Sequence, residues 1–214
     1  MIPQTQSEHT RALCSLAPVI PVLVIDDAAQ AGKLAESLIS GGLPVLEVTL
    51  RTEAALEAIS AMARVAGGHV GAGTVLTPEQ VYRAKDAGAS FAVAPGATET
   101  LIRACEDASL PLLPGAVTAS EVMQANEFGY DMLKFFPAST SGGAAALKAL
   151  AAPLPHVSFC PTGGVTPENA GNYLSLPNVV CVGSSWVAPG NAVANGDWAG
   201  IEARAREASQ LRNR

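Results

Sequence analysis

The sequence predicts an α/β fold: a single (β/α)8 barrel of the TIM type over residues 1–214, with one extra helix before its first strand. Three observations predict it. Short apolar runs recur eight times, and the step from one to the next is about 20–26 residues, room for a strand, a helix and two short loops. Most runs are apolar without alternation, the pattern of parallel strands buried on both faces. Helix start and stop signals lie between them. An open, doubly wound sheet is the rival architecture, but it usually carries a glycine-rich dinucleotide turn after its first strand. Here Val24-Ile25-Asp26-Asp27 follows the first run, with no glycine.

In chain order, residues 1–6 are expected to fray and residues 7–16 to form the extra helix, closing the barrel bottom. The strand runs are 19–25, 45–50, 69–72, 91–94, 112–113, 132–136, 157–160 and 179–182. Residues 54–62 and 101–108 carry apolar side chains at three- and four-residue spacing, as amphipathic helices do. Thr77-Pro78-Glu79-Gln80 supplies a capping Thr, a proline at the first helical position and a glutamine to close a capping box. Thr118-Ala119-Ser120-Glu121 is a second box, and Thr166-Pro167-Glu168 repeats the Thr-Pro start. Gly41-Gly42, Gly67-Gly68, Gly88 and Gly129 each precede a strand, where a left-handed helix stop is expected. Residues 201–211 read as the last helix.

Composition supports a large core: 49% of residues are apolar and 15% charged, the reverse of a disordered chain. The formal charge is -6 and no run of Lys or Arg exists, which argues against nucleic acid and anionic membrane as partners. A small anionic substrate stays open, because one local cationic site can hold it. The longest apolar stretch, residues 16–25, is short of the ~20 residues a bilayer span needs. The N-terminus lacks the order of a signal peptide, so a cytoplasmic protein is expected. Cys14, Cys105, Cys160 and Cys181 are widely spaced and read as buried thiols, with no metal or disulfide pattern.

A barrel of this kind carries its active site at the carboxyl ends of its strands. The second strand, Val45-Leu46-Glu47-Val48-Thr49-Leu50-Arg51, holds a carboxylate that is costly to bury unless paired or facing a cavity. Glu47 shares a face with Val45 and Thr49, and Arg51 follows at the tip. The bland interpretation is a Glu–Arg pair that only holds the barrel; the functional one is a general acid/base. The sixth strand, Met132-Leu133-Lys134-Phe135-Phe136-Pro137, sets a lysine among apolar neighbours. Burial strips water from an ammonium and favours the neutral amine, a nucleophile toward carbonyls. A lysine snorkelling at a strand end is the bland alternative.

The third strand ends Gly71-Ala72-Gly73-Thr74, where glycines allow close approach and Thr74 adds a hydroxyl. Strands four and five end in Pro95-Gly96 and Pro114-Gly115, which read as turn chemistry. Strand seven ends Thr162-Gly163-Gly164-Val165 before the Thr166-Pro167 helix start, and strand eight ends Gly183-Ser184-Ser185. Gly and Ser loops after strands seven and eight are where many barrels hold a phosphate, on backbone N–H groups and a helix N-terminus. Gly163, Gly164, Ser184 and Ser185 are the candidates. His9, His69 and His156 are isolated, Trp186 and Trp198 suit packing, and no His or carboxylate cluster suggests a metal.

The stretches Leu46–Thr52, Gly71–Leu76, Lys134–Ala138 and Phe159–Gly164 closely resemble the 2-keto-3-deoxy-6-phosphogluconate (KDPG) aldolase family, which includes the 4-hydroxy-2-oxoglutarate (KHG) aldolases. The resemblance runs from about residue 18 to residue 198, with the motifs in order. It implies Lys134 as the imine-forming lysine and Glu47 as the acid/base. It implies Arg51 and Thr74 as contacts of the keto-acid carboxylate, Pro95 and Phe136 as walls of the pyruvyl pocket, and Gly163, Gly164 and Ser185 at the phosphate. It further implies a cytoplasmic homotrimer of the Entner–Doudoroff pathway that uses a covalent imine, with no metal and no cofactor. Two positions depart from the pattern. Ser184 stands where a second glycine is expected, and Ser139 where an acidic residue is usual. The galactonate-derived C4 epimer remains an alternative substrate. A barrel isomerase or a non-catalytic phospho-ligand sensor would share the phosphate loops, but neither needs a lysine inside the sixth strand.

Overall fold

The computed structural model describes residues 1–211; the last three residues of the expected 1–214 barrel lie outside the described ones. The chain opens with α1 (Pro3–Cys14) and then alternates strand and helix: β1 (Val19–Leu23), α2 (Ala31–Ser40), β2 (Val45–Thr49), α3 (Ala55–Met62), β3 (His69–Gly73), α4 (Pro78–Asp86), β4 (Phe91–Val93), α5 (Glu99–Asp107). It continues through β5 (Leu112–Leu113), α6 (Ala119–Phe128), β6 (Met132–Phe135), α7 (Gly143–Ala151), β7 (Ser158–Pro161), α8 (Ala170–Leu174), β8 (Val182–Ser184), α9 (Gly190–Ala194) and α10 (Trp198–Ser209). A 3-10 turn, Ala28–Gln30, precedes α2.

All the strand pairings are parallel. Six strands pair in the order β5-β4-β3-β2-β1-β8, and β6 pairs with β7. Single parallel bridges join the two pieces: Gly115 to Lys134 on one side, Phe159 to Val179 and Thr162 to Gly183 on the other. The eight strands thereby curl into the expected barrel.

The period-two alternation of each strand divides the core. Ile20, Val45, Phe91, Val93, Leu113, Met132 and Cys160 pack inside the barrel with Leu13 and Cys14 of α1. Their strand neighbours, among them Leu46, Val48, Leu133, Phe135 and Phe159, pack outward against the helices. Trp186 and Trp198 are partly buried against that outer layer. The four cysteines are free and buried, as expected. No described helix is long and apolar enough to cross a membrane.

Both predicted capping boxes form: Thr77 with Gln80 at α4, and Thr118 with Glu121 at α6. Gly42, Gly67, Gly88 and Gly129 all take positive φ, between 82° and 100°, as left-handed helix stops require.

Four local expectations change. Residues 1–6 do not fray: the first helix starts at Pro3 and ends at Cys14, rather than spanning 7–16. Its early residues are held because Gln6 is buried, its Oε1 accepting from Leu112 N and from the Tyr130 hydroxyl. The eighth strand is Val182–Ser184, later than 179–182. Its register is set by pairing with β1, where Val19, Ile20 and Pro21 meet Val182, Gly183 and Ser184. The Thr166-Pro167 start yields a turn before α8, which begins at Ala170; Thr166 O accepts from both Asn169 N and Ala170 N, and Asn169 Oδ1 closes the turn by accepting from Thr166 N at 2.9 Å. Lastly, Pro114-Gly115 is no turn. Lys134 N donates to Pro114 O at 2.8 Å and Ala116 N to Lys134 O at 2.9 Å, so the segment extends β5 along β6. Gly115 is required for clearance there: a Cβ would sit 2.1 Å from Pro95 O.

Candidate active site

Glu47 lies two residues beyond Val45 on β2, and Lys134 two residues beyond Met132 on β6. Val45 and Met132 point into the barrel, so strand alternation turns Glu47 and Lys134 inward as well, one layer nearer the carboxyl end. There they meet. Lys134 Nζ donates to Glu47 Oε1 at 2.9 Å, with side chains only 7% and 4% exposed. The backbone aims the lysine firmly, since it pairs through Pro114 and Ala116 on one side and sits opposite Cys160 of β7 on the other. The ammonium also lies 5.5 Å from the centre of the Phe136 ring, close enough for a cation–π attraction.

Glu47 owes its room to a missing side chain. A Cβ on Gly73 of β3 would sit 2.1 Å from Glu47 Oε1 and 2.5 Å from its Cγ. Small residues at the third strand end thus make space for the carboxylate.

A cavity of about 300 Å³ opens above the pair, lined by Glu47, Arg51, Thr74, Pro95, Lys134, Phe136, Gly163, Gly164, Ser184 and Ser185. The ten residues assigned to the site from the sequence therefore all line one space. Val22, Val24, Thr162, Val165 and Gly183 complete the wall and were missed. Val22 and Val165 give no chemical signal in a sequence; Thr162, a hydroxyl at a strand end beside Gly163, offers one. Arg51 also borders a neighbouring cavity of about 350 Å³ with Glu53, Gln80 and Arg83, but that space lacks a buried nucleophile.

The polar groups around the mouth differ in how free they are. Arg51 has no hydrogen-bond or ion-pair partner among the described residues and is exposed. The bland Glu47–Arg51 pair is therefore not what forms; Glu47 pairs with Lys134. Thr74 adopts φ 40°, a left-handed conformation that is uncommon and strained for a β-branched residue. Held so, its hydroxyl and Arg51 flank the cavity from adjacent strand ends. Thr49 Oγ1 donates to Leu23 O and Thr52 Oγ1 to Ile25 O, fastening the tip of β2 to that of β1.

Opposite lies the loop after β7, where Gly163 and Gly164 take φ 97° and 73°. Ser185 is exposed at the mouth. Ser184 also lines the mouth. Its side chain is buried, and its hydroxyl donates to Val165 O at 2.7 Å, fastening one loop to the other.

Two carbonyl-reactive features coincide here: an amine with a proton acceptor in contact, and a cavity whose far wall offers free backbone donors. An amine so placed can add to a ketone, and the carboxylate can carry the protons that the addition moves.

The family model described as KDPG and KHG aldolase matches residues 10–204. The 2-dehydro-3-deoxy-phosphogluconate aldolase of Pseudoalteromonas atlantica is 51% identical, over 91% of this chain and 91% of that protein. Among solved structures, the Zymomonas mobilis ZM4 2-keto-3-deoxy-6-phosphogluconate aldolase with 3-phosphoglycerate is 48% identical, with TM-score 0.92, covering 96% of this chain and 97% of that one. The Legionella pneumophila KDPG aldolase, with pyruvate captured as a covalent carbinolamine intermediate, is 44% identical with TM-score 0.90, over 93% and 97%.

Proposed function

We infer the reaction from one premise: the chain belongs to the KDPG and KHG aldolase family. It is a class I aldolase, a carbon–carbon lyase that cleaves 2-keto-3-deoxy-6-phosphogluconate to pyruvate and glyceraldehyde 3-phosphate. By the same chemistry it cleaves 4-hydroxy-2-oxoglutarate to pyruvate and glyoxylate. The observation that carries the assignment of roles is the buried Lys134–Glu47 pair at 2.9 Å beneath the cavity.

Lys134, having passed a proton to Glu47, adds through Nζ to the C2 ketone; Glu47 returns that proton to the departing hydroxyl, and loss of water leaves a protonated imine and a free Glu47 carboxylate. The cationic C=N draws electrons from the adjacent C3–C4 bond. Glu47 takes the proton of the C4 hydroxyl; the C3–C4 bond breaks, and its electron pair forms the enamine while C4 becomes the aldehyde carbon. Glyceraldehyde 3-phosphate leaves. The enamine takes a proton at C3 from Glu47, and water hydrolyses the resulting imine to pyruvate and free Lys134. The imine serves as electron sink, so no metal or other cofactor has a step to perform.

Arg51 and Thr74 hold the C1 carboxylate, the guanidinium by a forked hydrogen bond. Pro95 and Phe136 wall the pyruvyl group. Gly163, Gly164 and Ser185 take the phosphate at the far end of the cavity. The working enzyme is a cytoplasmic homotrimer of the Entner–Doudoroff pathway, a proposal supported by the family resemblance and checked by sedimentation equilibrium.

Borohydride trapping with pyruvate, read by intact mass and peptide mapping, tests the chemistry. The wild-type protein is expected to carry one reduced pyruvyl group, on Lys134. Lys134→Ala should lose both adduct and turnover. Glu47→Gln should still trap pyruvate while turnover falls by about 10²–10⁴. Ordinary turnover by Lys134→Ala, or an adduct mapped to another lysine, would refute the assignment.

A further inference from the structure

Three consecutive carbonyls in the loop after β7 are each captured by a donor from a different element. Gly163 O accepts from Ser139 N at 3.0 Å, Gly164 O from Asn169 Nδ2 at 2.9 Å, and Val165 O from Ser184 Oγ at 2.7 Å. In a planar trans peptide the N–H points opposite to the C=O. The Gly164 N–H therefore points away from Ser139, toward the β8 side of the mouth. The Val165 N–H points away from Asn169, which stands outside the barrel at the start of α8. Neither N–H has a partner among the described residues. Successive free N–H groups on a left-handed backbone form an anion-binding concavity.

Asn169 is used at both ends of its amide. While Nδ2 holds Gly164 O, Oδ1 accepts from Thr166 N at 2.9 Å. Together with Ser184 on Val165 O, it grips the Val165–Thr166 peptide by its oxygen and its N–H alike. Ser184 does this from a buried position, 7% exposed, at the end of β8. Restraint matters here because two adjacent glycines otherwise rotate with little penalty, and a loop that rotates presents its donors only part of the time.

We propose that Asn169 and Ser184 are positioning residues that preset the 163–165 loop for a phosphate dianion, and so set the preference for a phosphorylated keto-acid over its unphosphorylated counterpart. The proposal rests on the phosphate subsite inferred above. Neither side chain bonds to Lys134 or Glu47, which stand on other strands.

The test compares wild type with Asn169→Ala and with Ser184→Ala, on 2-keto-3-deoxy-6-phosphogluconate and on unphosphorylated 2-keto-3-deoxygluconate, with inorganic phosphate as competitor. Each substitution removes one hydrogen bond that holds a donor in place, an effect of up to about tenfold. The KM for the phosphorylated substrate is expected to rise by about that factor, and phosphate should inhibit correspondingly less well. For Asn169→Ala, at a residue that does not line the cavity, kcat, and kcat/KM for the unphosphorylated substrate, should move less than about twofold, which also shows that this variant is folded; circular dichroism checks the fold of Ser184→Ala. Equal losses on both substrates would reduce the two residues to general structural support and overturn the proposal. A wild type that prefers phosphate beside variants that keep that preference would overturn the clamp alone. A wild type indifferent to the phosphate would overturn the subsite, and the clamp with it.

Discussion

A methyl group placed on Gly73 would lie 2.1 Å from Glu47 Oε1, so the Glu47 carboxylate, proposed above as the acid/base, keeps its contact with Lys134 only because residue 73 has no side chain. Gly73→Ala should leave the fold intact at a cost of about 1–3 kcal/mol from overpacking and displace Glu47. The kcat should fall by about 10² or more, the loss expected when a general acid/base moves out of reach. Circular dichroism and steady-state kinetics check the two halves; wild-type kcat in a folded variant would show that Glu47 tolerates the shift. Glu47 and Lys134 were visible in the sequence because each is a charge in an apolar run, a placement that demands a partner. Their pairing with each other was not, because they lie 87 positions apart. Asn169 was invisible for another reason: an asparagine beside a proline turn has many ordinary uses, and only the captured carbonyl reveals this one.

At the scale of elements, α1 is unusual in burying polar side chains, Gln6, Ser7 and Thr10, against the barrel bottom. Strand N-termini there present N–H groups that no neighbouring strand satisfies. Gln6 accepts from Leu112 N, and Ser7 Oγ accepts from both Asp131 N and Met132 N, each at 3.0 Å. Ser7→Ala strands two of these donors and should destabilise the fold by about 2–4 kcal/mol, seen as a thermal midpoint lower by about 10 °C. The same helix carries a pH-dependent contact. Burial opposes ionisation of Asp131, but the Ser7 hydroxyl and the Arg11 guanidinium outweigh it and hold the carboxyl below its usual value of 3.8. A depressed carboxyl stabilises the fold fully above the unfolded value, and the contribution is lost as pH falls from there through the folded one. Asp131→Asn should therefore flatten the stability loss below about pH 4, measured by urea titration at pH 3 and pH 6; an unchanged difference would discount the contact. The expectation that residues 1–6 fray failed on this element, since a short polar segment carries no apolar period and its partners lie more than 100 positions away.

For the whole molecule, the barrel closes through single bridges at Gly115–Lys134 and Thr162–Gly183 rather than through long ladders. Lys134, Thr162 and Gly183 stand at these seams and also line the cavity, so the closed barrel is what brings the cavity's walls together. In a protein of charge -6, Arg51 and the N–H groups of the 163–165 loop are local donors beside the cavity, and such donors can hold an anion without a basic surface. Because the imine supplies the electron sink, prolonged dialysis against EDTA should leave kcat within about twofold; loss of activity restored by a divalent metal would contradict the mechanism.

The sequence by itself determined the architecture, the helix stops and both capping boxes, since each depends on the period of apolar residues or on chemistry within four positions. It also singled out one lysine and one carboxylate, Lys134 and Glu47, because a charge in a buried strand stands out locally. The tertiary structure alone decided that these two meet at 2.9 Å, that β8 starts at Val182, that Thr166-Pro167 turns rather than starting a helix, and that Ser184 holds a loop. Each of those depends on which distant backbone group comes within hydrogen-bond reach, and that is settled only when the barrel closes.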